Sequence, residues 1–118
     1  HRSTRGVLRG QNYAGNLDAW AVAEFLNLAE MPAAKTIFVL VCDGAPNGDE
    51  REHRAVAAEC IARMRRMDVE FVLAYIGSDA RGFDRARADW GALRVADCRR
   101  DMSALTSVII RAVASLRR

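Results

Sequence analysis

FVLVCDGAPNGDE, residues 38–50, joins a run of apolar and thiol side chains to an acid, then to a turn of Gly, Ala, Pro, Asn and more acid. With Thr36 and Ile37 the run becomes TIFVLVC (36–42), short, continuous and rich in branched residues. Such a run predicts a strand buried on both faces, as in a parallel sheet, rather than one side of a hairpin. The carboxylate that ends it raises a second question. A charge at the edge of a core needs a partner, a cation or water, and open parallel sheets bind ligands beyond the carboxyl ends of their strands. Asp43 is therefore either a binding residue or an aspartate that caps its own turn through the backbone.

Working outward, NLDAWAVAEFLNLAE (16–30) predicts a helix capped by Asn16, with Leu17, Ala21, Phe25 and Leu28 on its inner face. Met31-Pro32 ends it, because the residue before proline is pushed out of helical geometry. On the other side, residues 50–66 predict a helix with an inner stripe of Val56, Cys60, Ile61, Met64 and Met67. VEFVLAYI (69–76) reads as a second buried strand, closed by Gly77-Ser78-Asp79. GFDRARADW (82–90) reads as a short, weakly helical or turn segment, and LRVA (93–96) as a brief third strand. Asp101 or Ser103 caps a last helix over 103–116, with Leu105, Ile109, Ala112 and Leu116 inward. This alternation calls for an α/β fold: an open parallel sheet with right-handed crossovers and helices on both faces, three layers in all.

The bulk of the chain agrees with one small domain. It has 118 residues, 51% of them hydrophobic and 28% charged. Residues 1–15 form a polar, basic lead-in and 16–118 the α/β domain. The net charge of +3 is mild, and the sequence shows no dense basic face with aromatic platforms between its charges, which argues against nucleic-acid binding. No stretch approaches the roughly 20 apolar residues that span a bilayer, and the front end carries no hydrophobic targeting segment. His1 in place of methionine suggests a processed product or a piece of something longer. Cys42, Cys60 and Cys98 are odd in number with no CxxC pair, so they read as small buried hydrophobes in a reducing, cytoplasmic setting.

Other chemistry is thinly represented. GxGxxG and GxxxxGK are both absent, and IGSDARG (76–82) lacks their spacing. No Ser or Cys sits in a nucleophile elbow, so no catalytic residue is assigned. His53 has no second ligand at metal spacing and reads as a solvated or packed helical histidine, while Trp20 and Trp90 read as packing residues. Asp49 and Glu50 reach toward the same edge as Asp43, but acids in a first helical turn are explained by the helix dipole.

FVLVCDGAPN resembles the strand-plus-DGxP segment of von Willebrand factor A (vWA) domains, and the strand–DG–loop–helix–strand–IG succession over 36–78 is similar to that fold's second half. GNLDAWAVAEFL (15–26) resembles the segment that precedes the corresponding motif in the cobaltochelatase T subunit family. The resemblance implies a non-catalytic binding and assembly module that works with a ring-forming AAA+ ATPase. It also implies Mg²⁺ at the carboxyl edge, with Asp43 as the DG aspartate, Asp18 and Asn16 as the second loop, and Gly44, Pro46, Asn47 and Asp49 facing the partner. The first, D-x-S-x-S loop of such domains has no counterpart: Asp101-Met102-Ser103 precedes the last helix and reads as its cap. The chain thus resembles a vWA domain without its first strand, helix and hairpin, and strand 36–42 is expected to be covered by another chain or a further segment. A small Rossmann-type nucleotide-binding or enzymatic domain using Asp43, and a metal-free scaffold, are the alternatives.

Overall fold

The computed structural model describes residues 18–28, 35–46, 48–91 and 94–116. Asn16, Leu17, Asn47 and the lead-in 1–15 lie outside the described residues. The elements run α1 (Asp18–Leu28), β1 (Thr36–Cys42), α2 (Glu50–Arg66), β2 (Val69–Tyr75), α3 (Ala80–Trp90), β3 (Val95–Asp97) and α4 (Ser103–Leu116). The strands form one parallel sheet in the order β1-β2-β3. Thr36 lies beside Val69 and Cys42 beside Tyr75, so β1 and β2 are in register over their full length.

Side-chain alternation along the strands divides the core in two. Cys42, Leu73 and Tyr75 face α1, α2 and α3, where Ala19, Val22, Leu26, Ala57, Cys60, Met64 and Trp90 close the larger cluster. Val72, Ala74 and Ala96 face the other way, onto Val108 and Ala112 of α4. Rings line the larger layer: Phe25 meets Phe38 edge-on at 5.6 Å, and Phe71 stacks on Trp90 at 5.3 Å. The three-layer α/β architecture is therefore present, and the three cysteines are free and buried. No described helix is long and apolar enough to cross a membrane.

Several expectations need correction. β1 is not buried on both faces: it is the edge of the described sheet, and Val39 and Val41 on its α4 side are 36% and 49% exposed. α4 packs chiefly on β2 and β3 and meets β1 only near its start, where Ile37 joins the smaller cluster and Lys35 Nζ donates to the Leu116 carbonyl at 2.7 Å. On α1, Val22 and Leu26 are buried while Leu28 is exposed, so the inner face is turned by about one residue from the 21/25/28 stripe. Segment 82–90 is not weak; it belongs to a regular helix from Ala80 that Asp79 caps, accepting from the Gly82 N–H at 2.7 Å. Gly91, left-handed at φ +53°, ends that helix. β3 runs Val95–Asp97, with Arg94 before it and Leu93 outside the described residues.

Candidate functional site

All three strands point their carboxyl ends at one edge, and the acidic turn leaves from it. Asp43 is exposed just past β1, and its Oδ1 accepts the Ala45 N–H at 3.0 Å, an Asx turn that sends the chain sideways. Gly44 follows at φ +74°. A Cβ there would run into the Gly82 carbonyl, so the β1 exit and the first turn of α3 touch backbone to backbone. Tyr75, fully buried at the end of β2, supports this contact by donating its hydroxyl to the Asp79 carbonyl at 2.8 Å. A shallow cavity of about 360 Å³ lies over the junction, lined by Asp43, Gly44, Gly77, Asp79, Arg81 and Arg85 among others. Gly44 and Pro46 are buried and shape the turn, whereas Asp49 is exposed and caps α2 by accepting the Glu52 N–H at 2.9 Å.

Asp18, the first described residue of α1, is only 3% exposed at the same edge. Burial first, then the charge of Asp43, then that of Asp89, push its carboxyl from the ordinary 3.8 up to about 6. The thiol of Cys42 registers the same acid: burial, and after it the Asp18 charge, push it up to about 12. Two of the acids implicated by the sequence therefore sense one another across the sheet's carboxyl edge.

A buried polar chain that the sequence did not reveal lies beneath them. His53, 1% exposed in the first turn of α2, accepts the Ala19 N–H on Nε2 at 3.1 Å. The amide can only donate, so Nε2 carries no proton and Nδ1 carries one, given to Asp89 Oδ2 at 3.0 Å. Burial lowers the pKa of His53 against the pull of Asp89. Arg54 Nε completes the chain on Asp89 Oδ1 at 3.1 Å, and Trp20 and Trp90 close over the imidazole at 5.6 and 6.0 Å. Both imidazole nitrogens are in use and the ring is out of solvent, so His53 ties α1, α2 and α3 together rather than acting as a base. Asp89 stands 36 residues from His53, and no local spacing connects the two.

The fit to a divalent ion is incomplete. Such an ion wants several oxygen ligands at ~2.0–2.6 Å. Among the described residues no group of three or more His, Cys, Asp or Glu side chains is placed to hold a metal ion, and Asn16 lies outside them. Among the described residues the edge brings together two acids, Asp18 and Asp43. Comparison with protein-family models, with curated proteins and with solved structures gives no match to the chain.

Proposed function

We propose that the chain is a non-catalytic binding and assembly module of vWA type that meets its protein partner at the sheet's carboxyl edge. The observation that carries this reading is the convergence of exposed Asp43 and buried Asp18 beside a rigid, glycine-packed turn. Two carboxylates make a poor cation site alone but a serviceable one when a partner adds oxygen ligands. Mg²⁺, if it takes part, is then held jointly, with Asp18 and Asp43 as this chain's share. The sequence resemblance to the cobaltochelatase T subunit family makes a ring-forming AAA+ ATPase the class of partner proposed.

Nucleotide binding of Rossmann type fits the same edge less well. Phosphate needs an open glycine cradle and a helix N-terminus free of negative charge. Here Gly44 is filled by the backbone of Gly82, and α2 opens with Asp49, Glu50 and Glu52. The metal-free scaffold differs from the first reading only in whether the half-site takes an ion.

Thermal melting separates these readings. Stabilisation by a ligand of the folded state is RT ln(1 + [L]/Kd), about 1.4 kcal/mol at ten times Kd, or about 5 °C for a domain of this size. Millimolar Mg²⁺ is expected to raise the Tm of the native chain and to leave Asp43→Ala unmoved. Identical shifts in both proteins would refute the half-site. No shift in either leaves the jointly held ion and the metal-free scaffold, which are then separated by sizing a mixture with the AAA+ subunit of a cobaltochelatase in Mg²⁺ and in chelator. An Mg²⁺-dependent complex supports the joint site and a metal-independent one the scaffold.

A further inference from the structure

We propose that β1 is a homodimer edge, across which two copies of this chain pair antiparallel about a two-fold axis at Val39 and join their sheets into one. The Cys42 carbonyl accepts the Ile76 N–H at 2.8 Å, so Cys42 turns its backbone groups toward β2. Alternation then turns those of Ile37, Val39 and Val41 outward, away from the described sheet. An edge of this kind is normally blunted by charge, proline or a bulge. TIFVLVC contains none of these.

Self-complementarity selects the occupant and the register. Pairing centred on Val39 sets Val39 against Val39 of the other copy and Ile37 against Val41. Each of these is a hydrogen-bonded pair that exchanges both N–H···O bonds, because these are the residues whose backbone faces outward. On the opposite face Phe38 meets Leu40. One step beyond the strand, Lys35 of each copy comes opposite Asp43 of the other, at both ends of the ladder; its exposed Nζ gives one of three donors to its own Leu116 carbonyl at 2.7 Å and keeps two for that carboxylate. A parallel in-register pair would instead set lysine beside lysine and aspartate beside aspartate, and a two-residue slip would lose both ion pairs. Charge complementarity therefore favours a second, antiparallel copy. Pairing also merges the exposed Val39 and Val41 of both copies into one branched stripe, where β-branched cross-strand pairs are favourable.

Sedimentation of the 118-residue chain over a micromolar concentration series, in low salt with chelator present, reads the proposal independently of any metal. The expected species is a dimer that dissociates on dilution. Lys35→Glu sets acid against Asp43 at both ends and is expected to weaken the dimer by about tenfold or more. Asp43→Lys is expected to do the same, and the two changes together to restore it. Val39→Lys, at a site already 36% exposed, is expected to keep the fold and abolish the dimer, with circular dichroism verifying the fold of each variant. In hydrogen exchange, protection of the Ile37, Val39 and Val41 amides is expected to rise with protein concentration. A monomer at every concentration overturns the proposal, and so does a dimer in which the double charge swap fails to rescue. The same holds for concentration-independent protection of those amides, which would mean that another part of the chain covers the edge.

Discussion

Asp18 carries a measurable penalty that a single substitution removes. Its carboxyl is held at about 6 rather than 3.8 by burial and by the charges of Asp43 and Asp89. At 1.36 kcal/mol per pH unit this difference amounts to about 3 kcal/mol. The direction follows from proton counting. Between the two values the folded chain keeps a proton that the unfolded chain has released, so stability falls as pH rises through that window, and above pH 6 the full penalty is present. Below the ordinary value both states are protonated and the effect vanishes. Asp18→Asn removes the titration while nearly preserving shape. Its stability relative to the native chain is therefore expected to be about 2.4 kcal/mol more favourable at pH 8 than at pH 4, where a small part of the penalty is already present, or about 10 °C in Tm. Comparing the two pH values cancels any pH-independent cost of the substitution, and His53 titrates alike in both proteins. Urea unfolding followed by circular dichroism, at fixed protein concentration and in chelator, supplies the numbers. A relative stability constant to within about 0.5 kcal/mol between pH 4 and pH 8, or a change of opposite sign, would refute the picture of a buried carboxyl repelled by its neighbours.

The buried chain beneath Asp18 makes a second prediction: His53→Ala strands the Ala19 N–H and takes the imidazole donor from Asp89 Oδ2 while Arg54 still holds Oδ1, and is expected to destabilise by about 2–4 kcal/mol in urea unfolding. A loss below about 1 kcal/mol would show that water replaces the imidazole freely. His53 also carries a pH dependence of its own. With a lowered folded pKa, its contribution is full above the ordinary 6.5 and is lost as pH falls, so His53→Gln is expected to flatten the acid limb of the stability profile. Gly44→Ala combines a left-handed φ with a collision against the Gly82 backbone and is expected to cost at least about 2 kcal/mol; an unchanged urea midpoint would contradict the backbone contact. Finally, the Cys42 and Cys60 thiols, pushed up to about 12 and about 11 by burial, are expected to react with a thiol reagent at pH 8 only at the rate of unfolding. Fast labelling of the native protein would disprove their burial.

Local pattern sufficed wherever one segment decides its own state. TIFVLVC is too branched for a helix and too short for a buried one, and β1 is read with both ends correct. The α2 span is likewise complete, because an acidic first turn, a 3.6-residue apolar stripe and a basic last turn all agree. The prominence of Asp43 followed from its place after that strand, a matter of chain order alone. Other features depend on what lies across the fold. Composition cannot tell a central strand from an edge strand, since that requires knowing which neighbours arrive, and so the exposure of Val39 and Val41 emerged only with the sheet order. The inner face of α1 was misplaced because the helix is apolar around much of its circumference; its rotation is set by packing on α2 and by the bond from Ala19 to His53. The tie between His53 and Asp89 joins two helices through a third layer of contacts. Each of those side chains alone resembles an ordinary surface residue, and only tertiary structure, by removing water from both, turns them into a buried pair.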